Sequence, residues 1–223
     1  MKLAPLLEIA SGVTAVIGGG GKTTLLRVLG EELSRGGGRV LLCTTTKIRP
    51  FPDIPLATDL AELTALGRFC RLLCCGAPVP GAEKLTAPDI PMRELAARFD
   101  YVLVEADGSA QRPLKAHAPY EPVVPPEAGQ VILVAGASGF GRPIREAAHR
   151  PERYAALAGV SPEEAASPET EAAVLLAEAF HHRVFINQAE SGERLAAARR
   201  LAGLVGGCPV LAGSLREREY RTC

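Results

Sequence analysis

Short apolar runs alternate along the chain with longer segments whose apolar residues recur at helical spacing. Seven runs stand out, at 13–17, 39–43, 71–75, 101–106, 130–136, 183–187 and 209–213. Each is nearly continuous in apolar residues rather than alternating, which is how strands buried on both faces read. Between the first two, "KTTLLRVLGEELSRGG" places Leu25, Leu29 and Leu33 on one side of a helix that Gly36 to Gly38 can end. Further helices are predicted after Ser167 and Ser191, each a cap residue, the second stopping at Gly206-Gly207. Strand alternating with helix implies an α/β fold: a mainly parallel sheet with helices on both faces. Ligands of such sheets bind at the carboxyl ends of the strands. The segment 107–129 interrupts this rhythm with Pro113, Pro119, Pro122, Pro125 and Pro126. It is too long for a simple connection and is predicted to be a functional loop or lid.

The 223 residues suit a single domain over 1–223, and 47% apolar residues give it enough to bury a core. Lysine plus arginine equal aspartate plus glutamate at 25 each, so the basic surplus of a nucleic-acid scaffold is missing. "MKLAPLLEIASG" is broken by Pro5 and Glu8 and does not read as a signal peptide. No apolar stretch reaches the roughly 18 residues of a membrane span. A cytoplasmic protein is expected, with Cys43, Cys70, Cys74, Cys75, Cys208 and Cys223 reduced. Cys74 and Cys75 are neighbours on a strand and should point to opposite faces, so buried packing is expected of them rather than a shared ion.

The chemistry is concentrated in "VTAVIGGGGKTTLL". Strand, glycine loop, lysine, threonine and helix is the order of a phosphate-binding loop. Successive amides can turn inward around phosphate oxygens only where no side chain crowds the turn. Gly18, Gly19, Gly20 and Gly21 are therefore predicted to cradle phosphates, with Thr24 just behind them. Lys22 supplies a point charge, Thr23 a hydroxyl for Mg²⁺, and the following helix its positive dipole end. The strict G-x-x-x-x-G-K-S/T pattern is not met, because position 16 is Val16. Nor does Ile17 supply the additional lysine common in glycine-rich variants; Lys115 is a candidate substitute.

Three later stretches are candidate partners of the loop. "CTTTKI" puts Thr44, Thr45, Thr46 and Lys47 at a strand's carboxyl end, Thr45 being the candidate nucleotide contact. "YVLVEADGS" ends a buried strand in Glu105, the expected Mg²⁺-side acid. It continues to Asp107, a candidate for orienting a nucleophile, and Gly108, whose N–H parallels the phosphate-reading glycine of D-x-x-G. "RVFINQAES" has the shape of N-K-x-D with Gln188 for lysine, so Asn187 and Glu190 are candidate base-reading residues. Lys115, His117, Tyr120 and Glu121 are candidates for a second substrate or partner. Arg142, Arg145 and Arg150 are candidates for stabilising a transferred phosphate. His181 and His182 should face opposite ways and not share a metal.

"GGGGKTT", "TTTK", "VEADGSAQRPLKAHAPYEPVVP" and "GRPI…HRPERY" together resemble the YqeC-like accessory proteins of selenium-dependent molybdenum hydroxylases, within the P-loop NTPase superfamily. The resemblance covers nearly the whole chain, and Glu105 to Pro125 is its most specific part. It implies a role in maturing such a hydroxylase or its cofactor, with the hydroxylase or its maturation proteins as partners. Two functions are expected from different classes. One is a Mg²⁺-dependent NTPase or phosphotransferase, with ATP preferred to GTP. The other is a nucleotide-gated chaperone or binding module with little turnover.

Overall fold

The structure is a computed structural model, and it describes residues 2–223. In chain order the strands are β1 (Gly12–Gly18), β2 (Val40–Thr44), β3 (Leu56–Ala57), β4 (Leu72–Cys75), β5 (Ala77–Pro78) and β6 (Leu85–Thr86). There follow β7 (Tyr101–Glu105), β8 (Leu114–Lys115), β9 (Ala128–Gly136), β10 (Ala148–His149), β11 (Arg183–Asn187), β12 (Val210–Ser214) and β13 (Glu219–Thr222). The helices are α1 (Leu3–Leu6), α2 (Lys22–Arg35), α3 (Leu60–Leu66), α4 (Met92–Arg98), α5 (Ile144–Ala147), α6 (Pro151–Ala158), α7 (Pro168–Glu178) and α8 (Gly192–Val205).

Among the described residues nine strands form one sheet, in the order β13-β12-β11-β9-β1-β7-β2-β4-β3. Every pairing is parallel except that of β13 with β12. Each of the seven apolar runs is one of its strands, with ends within two residues of those predicted. Strand alternation splits the core into layers. Ala15 and Ile17 face the layer under α5 to α8, while Val16 faces the layer under α1 and α2. Cys74 joins the α2 layer and Cys75 the layer under α3 and α4. Burial pushes their thiols up to about 12 and about 11, as inert apolar neighbours.

The register of the central strands builds one edge. Val16 pairs with Glu105, and Thr44 also pairs with Glu105. The carboxyl ends of β1, β7 and β2 therefore finish level, and whatever follows each strand meets there. On the other side Gly18 pairs with Val134, and Asn187 with Gly136. α2 starts at this edge, buries Leu25, Leu26, Val28 and Leu29, and ends at Gly36 as expected. No helix among the described residues is long and apolar enough to cross a membrane.

Part of the segment 107–129, expected to be a functional loop or lid, packs into the core. Residues 113–118 are buried, and β8 within them pairs with β10. α7 carries the predicted Ser167 cap as a full capping box with Thr170. One turn on, Glu171 is wholly buried and accepts a hydrogen bond from Tyr154 Oη at 2.8 Å. Burial raises its carboxyl from the ordinary 4.5 to about 7; the Tyr154 hydrogen bond opposes this and the charge of Glu178 adds to it. The folded pKa lies above the unfolded one, so the native state holds the extra proton. Stability relative to Glu171→Gln is then expected to fall as pH rises from 4.5 to about 7, by on the order of 3 kcal/mol. Urea unfolding of both proteins at intervals across that range checks it; parallel pH profiles would contradict it.

Candidate functional site

The glycine loop crosses the level strand ends, and its close packing explains the glycines. A Cβ on Gly19 would lie 2.6 Å from the Pro113 carbonyl carbon and 2.7 Å from Arg112 O, both backbone. Gly21 caps α2 at φ 115°, in the left-handed region that side chains rarely adopt. The amides, however, divide differently from expectation. Gly18 N–H donates to Asp107 Oδ2 at 2.8 Å, Gly19 N–H to Val134 O at 2.8 Å, and Gly20 N–H to Arg112 O at 3.2 Å. Those three hold the loop down. The amides of Gly21, Lys22, Thr23 and Thr24 have no hydrogen-bond partner among the described residues. They are the donors a helix start leaves open, and they point the dipole's positive end at the cavity.

Two acids leave β7 and do different things. Glu105 accepts a hydrogen bond from Thr23 Oγ1 at 2.7 Å and lies 4.0 Å from Lys22 Nζ. Burial raises its pKa, against the opposing effects of Lys22 and Thr23. A buried carboxylate beside a hydroxyl at the loop mouth is a hard-oxygen pair suited to Mg²⁺, which takes few protein ligands and relies on phosphates and water for the rest. No group of three or more His, Cys, Asp or Glu able to hold a metal occurs among the described residues.

Asp107 lies under the loop and has no exposed surface. Its Oδ2 takes the Gly18 amide, His117 Nε2 at 2.7 Å and Lys115 Nζ at 3.1 Å. Its Oδ1 faces Lys22 Nζ at 3.1 Å without hydrogen-bond geometry. Burial alone would raise its pKa, but Lys22, the His117 hydrogen bond and Lys115 outweigh it and hold the group well below the carboxylate range. His117 continues the chain: its Nδ1 lies 2.6 Å from Glu178 Oε2, on α7. Burial lowers the imidazole pKa, and the two flanking carboxylates more than reverse that. A polar line thus runs from the glycine loop through Asp107 and His117 to Glu178.

Lys115 does not reach the cavity as a substitute for the lysine missing at Ile17. Its Nζ donates to Gly108 O at 2.5 Å and pairs with Glu121 at 2.8 Å, fully buried. Glu121 is shared with Arg150 at 2.9 Å, and Arg150 also packs over Tyr120. Arg145 pairs with Glu163. Of the three candidate arginines, only Arg142 lines the cavity.

The cavity over the loop measures about 1170 Å³ and brings together Gly20, Gly21, Lys22, Thr23, Thr24, Thr45, Thr46, Glu105, Gly108 and Glu121. Thr45 donates to Val123 O and Thr44, buried, to Glu105 O. Asn187 stands behind the loop: its amide donates to Gly20 O at 2.6 Å and its carbonyl accepts from Leu215 N–H at 3.0 Å. Glu190 lines a separate, smaller cavity and lies 3.5 Å from Arg194. Six basic residues line the main cavity against two acids. Arg49, Lys84 and Arg112 among them were not singled out from the sequence. Arg49 and Arg112 each lie within two or three residues of a recognised motif lysine, a signal that was there to use; Lys84 had none.

A family model described as YqeC protein matches residues 14–152, from β1 through the loop, Thr45, Glu105 and Asp107 to α6. The chain belongs to the YqeC family. The protein YqeC of Escherichia coli (strain K12) is 34% identical over 160 residues, which is 68% of this chain and 62% of that protein, so the match spans less than two thirds of the relative. Among solved structures, hydrogenase maturation factor HypB from Archaeoglobus fulgidus aligns at TM-score 0.45 and 10% identity, over 94% of this chain and 84% of that one. FlhF complexed with GMPPNP and Mg²⁺ aligns at TM-score 0.48 and 13% identity, over 96% and 71%. The YqeC family match ends before Asn187 to Glu190.

Proposed function

We propose that this YqeC-family protein binds a nucleoside triphosphate with Mg²⁺ and acts as an NTPase or phosphotransferase. One observation carries the reading: at the mouth of the glycine loop, the Thr23–Glu105 oxygen pair stands beside four open amides. Those amides and Lys22 receive the phosphates. Thr23 and Glu105 hold the metal, which when bound neutralises charge on the β- and γ-phosphates. Asp107 is a positioning residue, fixing Gly18 and the Lys22 ammonium. Gly108 lines the same cavity. ATP is proposed over GTP, because the Asn187 amide is taken up by Gly20 and Leu215, and Glu190 faces away from the main cavity.

The process proposed is maturation of a selenium-dependent molybdenum hydroxylase or its cofactor. That part rests on the likeness of the segment from Glu105 to Pro125 to such accessory proteins. A second reading, a nucleotide-gated binding module with little turnover, is favoured by the burial of Asp107 and by the pairing of the other cavity acid, Glu121, with Lys115 and Arg150, which leaves no unpaired carboxylate beyond Glu105 among the described cavity residues. Steady-state hydrolysis with and without the candidate hydroxylase separates the two.

The metal assignment has its own test. Glu105→Gln keeps the hydrogen bond to Thr23 but loses the charge. The gain in ATP affinity on adding Mg²⁺ is expected to shrink at least tenfold in this variant, about 1.4 kcal/mol. Calorimetric titrations with Mg²⁺ and with EDTA measure it. An unchanged Mg²⁺ effect removes Glu105 from the metal site.

A further inference from the structure

The cavity extends past the glycine loop to a far wall that the proposed phosphate site does not use. Sites for a single small ligand occupy roughly 300–1,000 Å³; this one has about 1170 Å³. Beyond β2 the chain runs Thr45-Thr46-Lys47-Ile48-Arg49, and Ile48 bridges antiparallel to Leu85, with hydrogen bonds of 3.0 and 2.8 Å. Thr86 Oγ1 fastens this ribbon by donating to Thr46 O at 2.9 Å. Ile48 and Leu85 are both buried at 3% exposure. By alternation their neighbours turn the other way, and Lys47, Arg49, Lys84 and Thr86 all line the cavity.

The bridge register sets Arg49 opposite Lys84. Like charges directly opposite on a ribbon destabilise it, and the chain supplies no relief. No carboxylate lies within 4.0 Å of Lys47, Arg49 or Lys84 among the described residues. Three exposed cations, Lys47, Arg49 and Lys84, therefore line one stretch of the cavity wall without a counter-ion of the protein's own. We infer that this ribbon is a second binding site, for a small molecule carrying a phosphate or carboxylate group. Its placement follows from strand order. β7, with Glu105, lies between β1 and β2, so the ribbon after β2 stands on the metal side of the loop. Asn187 stands on the opposite side, after β11. The second anion would sit at the γ-phosphate end of the nucleotide, a relation that rests on the proposed function; the charge argument does not.

The test uses inorganic phosphate and malonate as probes, each titrated at fixed free Mg²⁺ into protein saturated with a non-hydrolysable ATP analogue. At least one is expected to bind wild type tenfold or more tightly than the Arg49→Gln/Lys84→Gln double variant, about 1.4 kcal/mol. Which probe wins tells phosphate from carboxylate. The same titrations on Lys22→Ala without nucleotide read the ribbon alone, because that change removes the loop's point charge and leaves Arg49 and Lys84. If wild type fails to bind the nucleotide, that counts against the phosphate loop, and the nucleotide-free titrations still decide the ribbon. Equal anion binding by wild type and the double variant overturns the ribbon site, as does a double variant that loses only nucleotide affinity. Lys84→Gln alone should keep or raise the thermal midpoint of the free protein by relieving the like-charge pair. A clear fall would mean that these charges hold the fold, and overturns the inference.

Discussion

Asp107→Ala is expected to destabilise the protein by about 3–5 kcal/mol, the range for breaking a buried charge pair by removing one partner. The change strands Lys22, Lys115 and His117 around a cavity with no exposed surface, and leaves the Gly18 amide without its acceptor. Asp107→Asn keeps the volume but loses the charge, and is expected to lose most of the same stability. The pH dependence has a definite sign. The folded pKa of Asp107 is depressed, so its contribution is complete above the unfolded value of about 3.9 and disappears as pH falls towards the folded one. Urea unfolding at neutral pH measures the loss as a fall in midpoint at constant slope. A loss under 1 kcal/mol would mean that the Lys115–Glu121 and His117–Glu178 pairs already neutralise these cations without Asp107.

The second large effect concerns Lys22. Wild type is expected to gain about 2.7 kcal/mol from Mg²⁺-ATP at 100 times its dissociation constant. For a chain of this length that is a thermal shift of about 5–10 °C. Lys22→Ala should show none of it. The comparison is between liganded and free forms of each protein, so any cost of removing Lys22 from the Asp107 cluster cancels. Equal shifts in the two proteins would exclude Lys22 from phosphate binding.

What was legible in the sequence is what the chain writes in consecutive residues. The seven central strands showed because burial on both faces makes each an unbroken apolar run. β3 and β13 at the sheet edges did not: one has two residues, and the other is exposed except at Tyr220. The loop from Gly18 to Thr24 and the acids Glu105 and Asp107 were visible for the same reason, since motif and chemistry coincide in a few positions. Which amides stay open was not visible. It depends on Asp107, Val134 and Arg112 coming from distant parts of the chain to take the first three. His117 drew notice only as part of a polar loop; its place between Asp107 and Glu178 needs α7, 61 residues further on. Arg49 and Lys84 meet through one bridge between segments with no periodic pattern. Glu190 illustrates the converse. Its spacing from Asn187 suits a base-reading loop, yet the turn through Gln188, at φ 63°, leaves its carboxylate beside Arg194.

The most direct measurement is a calorimetric titration of the wild-type protein with ATP, once with Mg²⁺ and once with EDTA. The proposed function predicts one site per chain, tightened by Mg²⁺ through Thr23 and Glu105 and occupied at the open amides of Gly21 to Thr24. No saturable ATP or GTP binding in the presence of Mg²⁺ would contradict it.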